Sequence, residues 1–157
     1  SILRENLEAF DAEINAIAGE LMTEEDLLPK LDIDAEVSID SVTYDLAREI
    51  ELLEPHGHCN RQPVFLSRNV MVLKKNRIGS DGTHLKLRLG TGSGELECVA
   101  FGWGAYHDAF RVGGLVDLCY NIQINHFNGN ETVQAVLRDA RQSDAAVTEP
   151  FPRVDAA

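Results

Sequence analysis

Cysteine is scarce in this sequence. Cys59, Cys98 and Cys119 are an odd number with no framework spacing. That argues against a disulfide-stapled scaffold and reads as free thiols in a reducing cytoplasm. No apolar run approaches the roughly 20 residues of a membrane span. The first twenty residues lack the basic start and apolar centre of a secretory signal. Basic charge is not in excess either: the net charge is -12, which on average is the wrong sign for a nucleic-acid binder. No Ser/His/Asp or Cys/His signature of a nucleophilic site stands out. Gly90-x-Gly92-x-Gly94 is glycine-rich, but it falls between two strands, so it reads as a hairpin loop and not as a phosphate cradle.

What is present is an ordinary soluble composition, 44% hydrophobic and 25% charged over 157 residues. That length suits one domain with an appendage. Ser1 at the front reads as a piece cut from a longer chain, or as the result of Met removal. The charge is segregated. Residues 1–60 hold 3 basic and 16 acidic residues, whereas 61–141 hold 10 basic and 7 acidic. Such asymmetry predicts separate jobs, with a boundary near the turn His56-Gly57-His58-Cys59-Asn60.

The acidic part reads as helical. Leu3, Leu7, Phe10, Ile14, Ile17 and Leu21 make one apolar stripe, packed on its own domain in preference to a coiled coil. Thr23 and Asp26 mark a short turn that Pro29 ends. Leu31 to Val37 alternates as a strand with its acids in water; the alternation disfavours a metal site. A second helix is expected from Ser41 to Glu54, with Val42, Leu46, Ile50 and Leu53 inward, stopped by Pro55.

After residue 60 the period falls to two. Strands are expected over Val64–Leu73 (running on through Arg77), His84–Leu89, Leu96–Phe101, Leu115–Phe127 and Thr132–Leu137, with a short helix over Trp103–Phe110. Asn128-Gly129-Asn130 is a hairpin turn. Five strands with a helix between the third and fourth is the order of an OB-fold barrel. The fold class is therefore α+β: a five-stranded OB barrel preceded by an acidic helical segment with one short strand. The domains are 1–60 (acidic helical junction), 61–141 (barrel) and 142–157 (flexible tail).

Leu31-x-Ile33-Asp34-Ala35-Glu36, followed by a helix and then Leu53-x-Pro55-x-Gly57-x-x-Asn60-x-x-Pro63-Val64-Phe65, resembles the junction before the OB domain of RecJ exonucleases. Asp81-Gly82-x-His84-Leu85-Lys86-Leu87, Ala100-Phe101-Gly102 and Val116-Asp117 continue the likeness over roughly 3–141. His56, Cys59 and Arg61 stand where the family usually has an aromatic, Gly and Pro, a departure confined to one turn. The resemblance implies a single-strand-specific DNA exonuclease working 5′ to 3′ in repair and recombination. It also implies Mn²⁺ or Mg²⁺ in the full-length enzyme, bound by an Asp-His-His module upstream. This fragment is then expected to carry no catalytic residue, no cofactor and no metal. Its expected partners are single-stranded DNA, the upstream catalytic domains and other repair proteins, with no membrane and a cytoplasmic location. His56-x-His58-Cys59 offers three adjacent ligand types but no second pair, so it reads as an exposed turn.

The candidate site is a DNA-binding face. Lys74, Lys75, Arg77, Lys86 and Arg88 put five cations into fifteen positions, on the end of strand one, the following loop and the outward face of strand two. This face of an OB-fold takes single-stranded nucleic acid. His84 shares parity with Lys86 and Arg88. His84 and Phe127, with Asn128 beside it, are the stacking candidates, while Trp103 and Tyr106 belong to the core. The other reading of the charges is a solvated strand face. A protein-docking module and an RNA-binding OB-fold remain open as alternative functions.

Overall fold

The computed structural model describes residues 3–23 and 26–143. They fall into two units, 1–32 and 33–157. The expected tail from 142 onward lies, beyond Ser143, outside the described residues.

In the first unit a 3-10 turn (Arg4–Asn6) leads into α1 (Leu7–Leu21). Its apolar stripe is present, but no residue of α1 is buried. Thr23 donates its backbone N–H and its hydroxyl to the Asp26 carboxylate at 2.8 and 2.7 Å. That is half of a capping box.

The second unit opens with β1 (Ala35–Glu36), which runs parallel to the start of β2 (Phe65–Ile78). The strand expected over Leu31–Val37 thus shrinks to two residues. Ile33 is exposed and Val37 only half-buried, so the expected apolar inner face does not form. The pairing with β2 reaches only from Asp34 to Val37: Asp34 donates its backbone N–H to the Val64 carbonyl (2.9 Å) and accepts the Val64 N–H on its carboxylate (2.8 Å), and the Val37 N–H donates to the Leu66 carbonyl (2.9 Å).

α2 (Tyr44–Glu51) is capped by the Thr43 hydroxyl, which accepts from the Leu46 N–H at 3.2 Å. Ala47 and Ile50 are its buried face. Here the expectation of a helix to Glu54 needs correction. Leu52, Leu53 and Glu54 donate back to Glu49, Ile50 and Glu51, a 3-10 pattern that tightens the last turn ahead of Pro55. The tightening turns Leu53 off the inward face, and it is exposed.

β2 is followed by β3 (His84–Gly90), β4 (Glu95–Ala100), β5 (Leu115–Phe127) and β6 (Asn130–Gln142). Hydrogen bonding runs β2-β3-β4-β6-β5 and returns from β5 to β2, so the sheet closes. Only β4–β6 is parallel among these five. This is the five-stranded closed barrel of an OB-fold. Inward residues Val70, Val72, Leu85, Leu87, Leu89, Leu118, Tyr120 and Ile122 form its core.

β6 runs past its expected end at Leu137: its register on β5 shifts between Cys119 and Tyr120, leaving Arg138 as an extra residue that breaks the alternation marking the strand. The apolar alternation of Ala135 and Leu137 resumes out of phase at Ala140. The helix expected over Trp103–Phe110 is a 3-10 helix, Gly104–Ala109. Phe110 is fully buried beneath it, with Trp103 and Tyr106 partly buried against the core.

That 3-10 helix closes one end of the barrel. Ile39, Val42, Ala47 and Ile50 join the core and close the other. There the Asp40 carboxylate accepts from Thr91 (2.6 Å) and Ser93 (3.0 Å), pinning the Gly-rich loop. On β5, buried Asp117 accepts from the Asn69 N–H (3.0 Å), Arg141 Nε (2.9 Å) and the Ser143 hydroxyl (2.5 Å). Burial pushes its carboxyl up, but these donors outweigh it and hold the group below its ordinary value.

Candidate nucleic-acid interface

The basic cluster is sorted by one irregularity. The β2–β3 register shifts between Val72 and Lys74, leaving Leu73 as a bulge. Leu73 lies on Gly90, where even a Cβ would crowd its side chain, so the glycine makes room for the extra residue. Before the bulge, Val70 and Val72 face inward. Strict alternation would send Lys74 inward after them. The extra residue reverses the phase, so Lys74 and Asn76 face out while Lys75 and Arg77 share a side with Leu87 and Leu85.

The outward set comes together. Lys74 stands opposite Arg88 and Asn76 opposite Lys86, and with Glu97 these residues line one shallow concavity. Lys86 Nζ lies 3.0 Å from Glu97, and Arg88 Nε 3.7 Å from Glu95, both partly exposed pairs. Opposed like charges such as Lys74 and Arg88 destabilise a sheet.

Lys75 and Arg77 are used differently. Lys75 Nζ donates to the His107 carbonyl at 2.8 Å and Arg77 Nε to the Gly104 carbonyl at 3.0 Å. Asp108 lies 3.8 and 3.9 Å from the two cations. Both therefore brace the 3-10 helix. Lys75 is only 19% exposed in its side chain.

His84, at the start of β3, opens the outward row. Its Nδ1 accepts from the Gly102 N–H at 3.0 Å, and its ring meets Phe101 edge to face at 5.4 Å. Phe101 is 58% exposed. Neither Phe101 nor Glu97 is visible as a site residue in the linear sequence. Phe101 ends an apolar run and looks like core, and only the β3–β4 register sets it beside His84.

Phe127 and Asn128 lie elsewhere. β4 and β6 run parallel, so the 128–129 hairpin sits at the end of the barrel that holds loop 91–94, opposite loop 79–83. β3 spans about 20 Å between those ends. Phe127 is 68% exposed and Asn128 takes the left-handed conformation its turn requires, φ 51°. The eight expected residues thus fall into three groups: a track of Lys74, Lys86 and Arg88 headed by His84; a brace of Lys75 and Arg77; and a distant hairpin.

Among the described residues no group of three or more His, Cys, Asp and Glu could hold a metal ion. The His56–Cys59 turn is tied by backbone bonds between Gly57 and Asn60 at 2.8 and 3.1 Å. The Asn60 amide donates to the Leu53 and Pro55 carbonyls at 2.7 and 3.1 Å. No described helix is long and apolar enough to cross a membrane.

The chain is similar over 140 residues, at 27% identity, to the single-stranded-DNA-specific exonuclease RecJ of Bacillus subtilis (strain 168); the match covers 89% of this chain and 18% of that protein. Its fold matches the crystal structure of RecJ in complex with Mn²⁺ from Thermus thermophilus. The TM-score is 0.70 at 23% identity, covering 92% of this chain and 20% of that one. The Mg²⁺ complex of the same protein matches with a TM-score of 0.65, also at 23% identity, covering 92% and 21%. The chain therefore spans about a fifth of the length of these relatives. The family model of the RecJ OB domain matches residues 33–139, from the first residue of the barrel unit nearly to the end of β6. This chain belongs to the RecJ OB domain family.

Proposed function

We propose that this chain is the strand-holding part of a RecJ-like exonuclease that digests single-stranded DNA 5′ to 3′ in repair and recombination. Its track of Lys74, Lys86 and Arg88 binds the phosphates. The observation that carries this reading is the placement of Lys74 directly opposite Arg88. Opposed like charges cost a sheet stability, offset here only in part by Glu95 and Glu97 beside Arg88 and Lys86. A polyanion lying between Lys74 and Arg88 turns the repulsion into two favourable contacts and releases condensed cations from the strand. His84 heads the track, Lys75 and Arg77 hold the 3-10 helix beside it, and Phe127 with Asn128 offers a second contact at the far end. Hydrolysis, with its Mn²⁺ or Mg²⁺, belongs to the remaining four-fifths of such a protein.

Titration of a labelled oligonucleotide at three salt concentrations tests the reading. For single strands the salt slope falls by roughly 0.7 for each phosphate that is no longer neutralised, so Lys86→Ala with Arg88→Ala should weaken binding and flatten the slope by about 1.4. A double variant with wild-type affinity and slope sinks the track. Wild-type protein that fails to bind at low salt points instead to a protein-docking barrel. Preference for an RNA competitor points to an RNA-binding one.

A further inference from the structure

We infer that Phe101 is the surface on which an unpaired nucleobase stacks at the 79–83 end of the track, with His84 as the residue that positions it. This rests on the strand-binding reading above and adds to it the group that takes the base.

Phe101 follows directly on the last residue of β4, and the pairing of Leu85 with Ala100 brings it alongside His84. An exposed phenylalanine is by itself unremarkable. This one is held. His84 packs edge to face against it, with an interplanar angle of 76°. The His84 ring is fixed in turn, because Nδ1 is taken by the Gly102 N–H. The backbone beneath is fixed as well. Asp81 accepts from the Thr83 N–H (3.2 Å) and hydroxyl (2.9 Å), closing loop 79–83 on itself. Gly104 donates to the Thr83 carbonyl at 2.7 Å, and a Cβ on Gly104 would collide with the Gly82 carbonyl oxygen.

At Gly102, the residue after Phe101, there is room. Gly102 sits at φ +82°, and nothing lies within 4 Å of the place a Cβ would occupy. A flat, exposed, preordered aromatic next to open space loses little freedom when a flat ligand lands on it. Lys86 lies two residues further along the same face, about 7 Å away at the strand's rise. A base on the ring and the phosphate attached to it therefore fall within one nucleotide's reach of both groups. Phe127, though more exposed, has no aromatic neighbour among the described residues.

The test compares the 157-residue protein with its Phe101→Ala, Phe101→Leu and Phe101→Trp variants on two labelled strands of equal length, oligothymidylate and an abasic backbone. Loss of the ring should weaken oligothymidylate binding roughly 5- to 100-fold, without changing the salt slope. Phe101→Leu, which keeps bulk but not flatness, should lose nearly as much as Phe101→Ala. Phe101→Trp should bind like wild type, with its added fluorescence quenched on binding, measured against the Trp103 background of the wild type. All four proteins should bind the abasic strand alike. His84→Ala should give a smaller loss, again confined to the base-bearing strand. Wild-type affinity of Phe101→Ala for oligothymidylate overturns the stacking surface and leaves the track standing. Equal losses on both strands overturn it too, because they mark a fold defect. Failure of wild-type protein to bind either strand overturns the track and the stacking surface together.

Discussion

At the scale of single residues, Asp117 is where polar chemistry most directly holds the barrel. Its side chain is nearly buried, and it gathers a backbone amide from β2, a guanidinium from β6 and a hydroxyl just beyond β6. Asn69, its amide donor, takes a left-handed backbone, φ 54°, at the second irregularity of β2. Removing the acid leaves these donors facing one another, so Asp117→Ala should cost on the order of 3 kcal/mol. The pH dependence has a definite sign. The folded carboxyl titrates below its unfolded value of 3.8, so the native state takes up this proton less readily than the unfolded chain. The stabilisation is complete above that value and is lost as pH falls below it. Chemical denaturation between pH 7 and pH 3 should show a component of acid destabilisation that Asp117→Asn lacks. Parallel curves for the two proteins would mean that the donors do not hold the charged form.

At the scale of elements, the contact between loop 79–83 and the 3-10 helix Gly104–Ala109 leaves no space for a side chain at Gly104. Gly104→Ala places a methyl against the backbone of Gly82 and Thr83 and should destabilise the chain by about 1–3 kcal/mol. Lys75→Ala removes the brace at the His107 carbonyl and should lower the denaturant midpoint while leaving the salt slope of DNA binding untouched. A flattened slope in Lys75→Ala would place that lysine on the strand after all. These same elements divide what is legible in the sequence from what is not. The five strands, the Asn128-Gly129 hairpin and the outward row of His84, Lys86 and Arg88 follow from strict alternation, which survives wherever a strand is regular. The bulge at Leu73 carries no such mark: an apolar residue followed by two lysines reads the same with or without it. The division of Lys74 from Lys75 is therefore hidden, as is the Phe101–His84 contact, which depends on register between strands. Leu53 keeps its helical spacing but loses its helical turn to Pro55.

At the scale of the whole molecule, the two units differ in how their apolar residues are used. The barrel buries its inward rows completely, while α1 shows Leu7, Phe10, Ile14 and Ile17 at the surface. Amides in residues 3–23 should then exchange with solvent far faster than those of β2 to β6, since no buried side chain holds that helix closed. Hydrogen-exchange mass spectrometry of the 157-residue protein reads this directly, and equal protection across both units would contradict it. The barrel has a different consequence for its ligands. Both mouths are stoppered, one by the 3-10 helix over Phe110 and the other by Ile39, Val42 and Ile50. Wider barrels that take small molecules swallow them end-on, and the depth of the cup sets the size of the guest. With a cork at either end, a strand held on the proposed track would lie across the outer wall. A guest on a wall has no bottom to reach, so under that reading the barrel sets no limit on its length.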